Sequence, residues 1–520
     1  MGLTWKTVEQ VYKETPSIKA ADAIHEMFPG PVGLWCVYYV VVSWAHMIDR
    51  CVVLTHGPSG CLTAARTFLS QHYQEHFGNP FTHCFSDVIT ADTIILGGEE
   101  SLTEAILQVD NDLKPKLILI INTCATDMIM DDIKGIARKL QPKVKAKLHA
   151  IEGAGYKSCL LDNRITAIKP FAELWEPPKE IKKGYVNLLG NYKEAHGGPG
   201  HKNKFEDILY PADSDELQRI VEGMGLKVHR VLMGALDYDE LVTTPEAEIN
   251  AQVCCSWGYP LSWEMEKMFG TPWTKHNRPI GIEATKRWMD ELAGAVGVQQ
   301  QSDKFFNEEY KKIKDVSEAC KKICKGKVAI IEAIRNALFA NTRPMALARF
   351  AIEMGMTPYI INMHPLNLTG EYYATDYFIE DGYGDVKMIY DAYPWAKPFN
   401  VDVVIDDLGV SPAEAVYFPM DVFRHCKAPE NDPSVVARFD GEQPFRRVRQ
   451  AARGDGFTGA FATMRDIIAG VKGATRKKKK PTLMGRVYGK GFDFEIAGSD
   501  ESEVKGHDEI KQGICLKGIR

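Results

Sequence analysis

The sequence predicts an α/β protein of three Rossmann-like domains, each built on a parallel sheet flanked by helices. Two observations carry that prediction. Short apolar runs bounded by Gly, Pro, Asn or Asp alternate with helix-period patterns, as parallel βαβ units require. The length of 520 residues also corresponds to three domains at about 150 residues each. With 45% hydrophobic and 25% charged residues the chain sits at the globular average, which excludes a disordered, collagenous or disulfide-scaffold protein.

The elements follow in order. Val52-Val53-Leu54 runs into His56-Gly57-Pro58-Ser59-Gly60-Cys61, and Leu117 to Ile121 runs into Asn122-Thr123-Cys124. Between them, Ser101 with Glu104 forms a capping box that opens a helix. Tyr185 to Leu189 is a strand ending at Gly190. Asp213 with Glu216 is a second capping box; Leu217, Ile220, Val221 and Met224 then share one face, and Gly225 is the stop. Val328 to Ile331 precedes a helix in which Pro344 is the first residue, with Leu347, Phe350, Ala351 and Met354 on one face and Gly355 after it. Tyr359 to Ile361 and Val401 to Ile405 complete the strand set. The expected domains are 1–183, 184–322 and 323–470. Tyr192 to Phe205 reads as a polar, Gly-rich loop, and 471–520 as a polar tail with a solvated basic run at its start.

Net charge is −6, from 63 basic and 69 acidic residues, so no global basic field attracts nucleic acid. The opening MGLTWKTVEQVYKE lacks the basic start and apolar core of a secretory signal. The longest apolar stretch, Leu34 to Ile48, is broken by Ser43 and His46 and falls short of the roughly 20 residues that span a bilayer. A cytoplasmic protein with no membrane contact is therefore expected. Thiols stay reduced there, so the 12 cysteines are small buried hydrophobes or thiolate ligands to metal. No Gly-x-x-x-x-Gly-Lys-Ser/Thr occurs, so the chain builds no Walker-type nucleotide site.

Three cysteines stand out by position. Cys61 and Cys124 closely follow buried strands, and ligands in parallel sheets bind beyond the strands' carboxyl ends. Cys36 follows the Gly/Pro turn Pro31-Val32-Gly33. Three thiolates leave a metal short of the usual four, so a partner chain or a bridged cluster must complete the shell. Cys320 and Cys324, four apart on a lysine-rich helix, read as ordinary helix residues, and Cys51 and Cys84 as packing.

These segments resemble the large catalytic subunits of nitrogenase and nitrogenase-like reductases. The resemblance lies in HGPSGC at 56–61, in Thr123-Cys124, in the Asp131-Asp132 pair, and in the spacing of Cys36, Cys61 and Cys124. It implies that these cysteines hold half of a P-type [8Fe-7S] cluster, or most of a [4Fe-4S] one. The cluster would lie at the interface with a homologous β (K-type) subunit of an α2β2 heterotetramer. Cys254, within Val253-Cys254-Cys255-Ser256-Trp257 and sixteen residues before Gly270-Thr271-Pro272-Trp273, resembles the cysteine that holds the terminal iron of the active-site cofactor. That cofactor would be a complex eight-iron iron–sulfur group with its hetero-metal unassigned. Asn341-Thr342-Arg343-Pro344 resembles the loop whose arginine donates hydrogen bonds to cofactor sulfides, where a guanidinium offsets anionic charge.

Departures from nitrogenase are as informative. Glu152-Gly153 is followed by AGYKSCLLDNRITAI, with no histidine where nitrogenase carries a glutamine and histidines. The far end of the cofactor falls to His425, with Cys426 the outside candidate, in Phe423-Arg424-His425-Cys426-Lys427. Both differences weigh against dinitrogen reduction. Among reductases that keep the cofactor cysteine, the chain is most similar to methylthio-alkane reductases, in particular the D-type subunit. That likeness implies cleavage of C–S bonds in small methylthio compounds, giving methanethiol and a hydrocarbon for sulfur salvage. A separate ATP-dependent iron–sulfur reductase protein would supply the electrons, and His364, in Ile361-Asn362-Met363-His364-Pro365, is the candidate proton donor to the departing thiolate. The alternatives are nitrogenase proper, a chlorophyllide-type tetrapyrrole reductase, against which Cys254 argues, and a cofactor-assembly scaffold.

Overall fold

The computed structural model describes residues 4–14, 37–45, 48–66, 83–157, 169–190, 213–232, 236–253, 258–275, 278–332, 342–362, 372–390, 401–411, 414–418, 446–447, 455–471, 476–478 and 494–496. Three parallel sheets organise them, in agreement with the α/β class read from the sequence. The first holds β1 (Cys51–His56), β2 (Cys84–Ser86), β3 (Leu117–Asn122) and β4 (Lys147–Ile151) in the order β2-β1-β3-β4. Every residue of β1 and β3 is buried, because helices cover both faces of a parallel sheet.

Alternate strand residues sort cleanly between the two faces. Cys51, Val53, Leu117 and Leu119 pack with α1 (Val37–Ala45), whereas Val52, Leu54, Ile118 and Ile120 pack on the other side. The chain between β2 and β3 forms the short α2 (Ala91–Leu96) and then α3 (Glu99–Leu113), whose Leu102, Ile106 and Val109 enter that second core. After β3 come α4 (Cys124–Met128) and α5 (Ile133–Leu140).

The second sheet holds β5 (Lys182–Leu189), β6 (Lys227–Leu232) and β7 (Ala247–Gln252) in the order β7-β5-β6. The third holds β8 (Val328–Glu332), β9 (Thr357–Asn362), β10 (Lys387–Tyr390), β11 (Ala415–Phe418) and β12 (Arg446–Arg447) in the order β10-β9-β8-β11-β12. All pairs among these strands are parallel. One continuous core joins the two sheets, running from Val186 and Ile249 through Trp288 and Ile313 to Ile331, Phe350 and Phe418. The N-terminal strand Lys6–Thr7 adds to the third sheet, antiparallel to β10. Its sequence falls in the first block, but Val8 and Val11 bury their side chains in that joint core.

The helices of these two sheets include α6 (Asp213–Gly223), α7 (Ile282–Val296), α8 (Gln299–Cys324), α9 (Thr342–Glu353), α10 (Val401–Leu408) and α11 (Gly456–Val471). Three local expectations change. Val401 to Ile405, expected as a strand, is the start of α10: Val404 and Ile405 are buried while Asp406 and Asp407 are not, a helical rather than an alternating pattern. Glu216, expected to cap its own helix with Asp213, reaches another one: its carboxylate accepts hydrogen bonds from Phe457 N at 3.0 Å and Thr458 N at 3.2 Å, satisfying the start of α11. Ser101 likewise lies inside α3, which begins at Glu99. Among the described residues, no helix is long and apolar enough to cross a membrane.

Candidate functional site

Each sheet reverses its strand order once, between β1 and β3, between β5 and β7, and between β8 and β11. Chain segments leaving the two central strands at such a point diverge to opposite faces and open a crevice, the usual ligand position in this architecture. Cys61 follows β1 and Cys124 follows β3. Cys254 follows β7, Arg343 follows β8, and His425 and Cys426 follow β11.

The first crevice is described in most detail. β1 and β3 are paired to their ends, in register His56 to Asn122. Cys61 lies in a helix at 59–66 and is half-buried; Cys124 opens α4 and is exposed. The two loops touch at their base, where a Cβ on Gly57 would lie 2.3 Å from Thr123 Oγ1. Thr123 N and Thr126 Oγ1 both donate to the His56 carbonyl oxygen, at 3.1 and 2.7 Å. Burial pushes the Cys61 thiol above its ordinary pKa, and the charge of the neighbouring Cys124 pushes it further. A bound metal cation would remove that penalty, because it would stabilise both thiolates.

This closeness makes Gly57→Ala a severe change despite its size. A Cβ cannot be placed without moving Thr123, so the loops must separate. If this crevice holds a cluster, iron content of the purified protein should fall by up to about half, while circular dichroism stays close to wild type.

Below the loops lies a buried charged triad. His56 is fully buried, with Nδ1 2.5 Å from Asp87 Oδ2 and Nε2 2.9 Å from Asp131 Oδ2. Burial disfavours the charged ring, but the hydrogen bonds and charges of Asp87 and Asp131 prevail and raise its pKa. Beside it, Asn122 donates to Asp127 Oδ1 at 3.2 Å and accepts from Gly153 N at 2.7 Å, and Tyr156 donates to Asp127. The Glu152-Gly153 segment is thus fastened at the end of β3, beside the same crevice.

The carboxyl end of β7, at the second reversal, shows a different signature. Gln252 ends β7 with no solvent exposure, and among the described residues neither atom of its carboxamide has a hydrogen-bond partner. Its backbone is satisfied: N donates to Thr274 Oγ1 at 2.8 Å, and O accepts from Trp288 Nε1 at 3.3 Å. Leaving a buried polar group unpaired costs about 1–3 kcal/mol. A polar ligand bound beyond β7 would offset that cost.

Cys36, Cys254, His364, His425 and Cys426 lie outside the described residues. Arg343 is the second residue of α9, and its side chain lies outside them as well. The helix following Cys36, α1, is tied to β1 by the Tyr38 to Thr55 hydroxyl contact at 2.8 Å. Cys51 and Cys84 are buried in the first core. Cys320 and Cys324 face each other in the joint core with Sγ atoms 3.7 Å apart.

Sequence reasoning did not single out His56, Asp87 or Gln252. For His56 and Gln252 the available signal was a polar residue closing a buried strand at its carboxyl end, in β1 and β7. It also gave no sign of the apolar surface at the first crevice, where Ile95 and Leu96 of α2 are 79% and 84% exposed and Met128 and Met130 are 71% and 86% exposed.

Comparison with known proteins agrees with this geometry. A nitrogenase iron-molybdenum cofactor biosynthesis protein NifE from Methanococcus maripaludis is 24% identical over 306 residues, covering 57% of this chain and 59% of that protein. The nitrogenase molybdenum-iron protein alpha chain of Clostridium pasteurianum is 26% identical over 293 residues, covering 55% of this chain and 52% of its own. The match therefore spans little more than half the length of these relatives. A solved structure of nitrogenase Cp1 at pH 6.5 superposes with a TM-score of 0.61 at 18% identity, over 88% of this chain and 92% of that one, which establishes the shared fold. The family model for nitrogenase component 1 type oxidoreductases matches residues 36–377, more than half of the sequence and all three described crevice strands pairs except β11, and the chain belongs to that family.

Proposed function

We propose that the chain is the catalytic, α-type subunit of an ATP-dependent nitrogenase-like reductase that cleaves C–S bonds of small methylthio-alkanes. The observation that carries this reading is the strand-order reversal in all three sheets, since the cysteines and the arginine that resemble family ligands follow the strands flanking those points. The close Cys61 and Cys124 pair fits a thiolate-held iron–sulfur cluster, with Cys36 as third ligand and the remainder from a homologous β subunit in an α2β2 assembly. The orphaned carboxamide of Gln252 fits a polar group bound beyond β7, where Cys254 would hold one end of the cofactor and His425 or Cys426 the other.

Bound in these places, the clusters supply the electron relay and the reducing centre. The protein's own residues hold, orient and protonate. Arg343 would donate hydrogen bonds to the anionic cofactor, and His364 would deliver a proton to the leaving sulfur. Cleavage of a methylthio-alkane consumes two electrons and two protons: the C–S bond breaks, sulfur leaves as methanethiol, and the carbon takes a hydrogen. The electrons come from a separate iron–sulfur reductase, because this chain has no Walker-type segment.

The exposed apolar side chains of α2 and of Met128 and Met130, after Cys124, suit the docking of that partner. Leu96→Asp should raise the reductase concentration needed for half-maximal turnover about tenfold, with cluster content unchanged. Titrating turnover against the reductase measures it.

A second reading, a scaffold on which the cofactor is assembled, is favoured by the similarity to NifE proteins. Iron and sulfide analysis of the anaerobically purified complex, with a methanethiol assay, tests both. About sixteen irons per αβ pair and turnover of a methylthio-alkane support the enzyme. About four irons sink the two-cluster reading, and a full complement without turnover of any thioether favours the scaffold.

A further inference from the structure

We infer that His56 is a positioning residue whose fixed positive charge, held between Asp87 and Asp131, tunes the cluster at Cys61 and Cys124. The inference rests on the cluster reading above. Both ring nitrogens face carboxylate oxygens, at 2.5 and 2.9 Å, and an imidazole that must donate at both is the imidazolium. The ring and the Asp87 side chain have no solvent exposure, and that of Asp131 has 10%. The triad therefore carries a net charge of −1 in a poorly screened place.

The same three residues fasten the loops that carry the cysteines. Asp87 Oδ1 accepts from Gly57 N at 3.1 Å, beginning the Cys61 loop. The His56 carbonyl oxygen holds Thr123 N, beside Cys124. Asp131 Oδ2 accepts from Gly98 N at 3.1 Å, where a Cβ would lie 2.5 Å from His56 Cε1. The exposed apolar helix α2 lies in the segment between Asp87 and Gly98, so both ends of that segment are tied to the triad.

A cation near a cluster favours its reduced, more negative state, and an anion disfavours it. His56→Gln takes the triad from −1 to −2 and should lower the cluster's midpoint potential. The expected size is about tenfold in the reduced fraction at fixed potential, about 59 mV for a one-electron couple. Adding Asp131→Asn returns the charge to −1, so the double variant should titrate close to wild type. A residue serving only to hold the loops would show the opposite order, with the double variant further damaged.

The experiment is an anaerobic redox titration, followed by electron paramagnetic resonance, of the complex with its partner subunit. A lowered potential in His56→Gln that the second change restores supports the inference. An unmoved potential, or one the second change does not restore, overturns it. If His56→Gln alone fails to assemble, the double variant decides: it must assemble and titrate at the wild-type potential, and failure in either overturns the proposal. Absence of any cluster signal from the wild-type complex would instead sink the functional reading on which this one rests.

Discussion

Replacing Cys61 with alanine is expected to empty the cluster site at the first sheet while leaving the chain folded. The thiol is half-buried and packs only at the margin of the first core, so removing one sulfur opens no enclosed cavity. Its contribution lies in the crevice, where it sits close enough to Cys124 for the second thiolate to raise its pKa. On the proposed function, a cluster shared with a partner subunit could not compensate for a ligand lost from a strand end fixed by six paired residues in β1 and β3. Iron should fall by about half, from about sixteen to about eight per αβ pair if the cofactor loads independently, and turnover should fall to background. Cys84→Ala is the informative control. That thiol has no solvent exposure, and burial pushes its pKa up to about 12, which disfavours the thiolate a metal needs. It should lose stability by about 1 kcal/mol, the order expected for a small buried group, and keep its iron. The reverse pattern, iron lost with Cys84 and kept without Cys61, would remove the assignment of the first crevice.

The contrast between those two cysteines shows how far a sequence can be read. Both lie close to apolar strand residues, but only Cys61 follows a strand at a point where the order reverses, and one-dimensional pattern does not state strand order. β1, β3, β5, β8 and β9 were legible because two-sided burial makes parallel strands continuous apolar runs. The same rule misled at Val401, where five residues are too few to separate a buried strand from the buried face of a helix. Capping was misread for a related reason. Glu216 has the spacing of a local cap, yet its carboxylate is spent on a helix start 241 residues away. His56 escaped notice because its partners Asp87 and Asp131 come from two other segments, and only folding brings the three together.

Cys254→Ala separates catalysis from cofactor storage. Among the described residues the end of β7 is unusually polar inside: Asn187 donates to Asn250 at 2.9 Å, Asn250 donates to Met265 Sδ at 3.2 Å, and Gln252 has no partner for its carboxamide. An interior of this kind is unfavourable by itself and becomes favourable when a polar ligand completes it. Cys254 follows that strand by two residues in the sequence, so on the proposed function its loss would remove the anchor and leave the polar wall. In a reductase, the signal of the cluster at Cys36, Cys61 and Cys124 should persist and still be reduced by the partner, while thioether cleavage falls more than a hundredfold. Gln252→Leu, which removes the unpaired amide, should stabilise the cofactor-free protein by about 1–3 kcal/mol and weaken loading. On the proposed function the two substitutions act on one event from opposite sides, one deleting the proposed anchor and the other the unpaired amide that a ligand would satisfy. Loss of cofactor iron in both, with thermal stability raised only by Gln252→Leu, is the pattern this site requires. An unchanged cofactor content in Cys254→Ala would place the anchor on another residue.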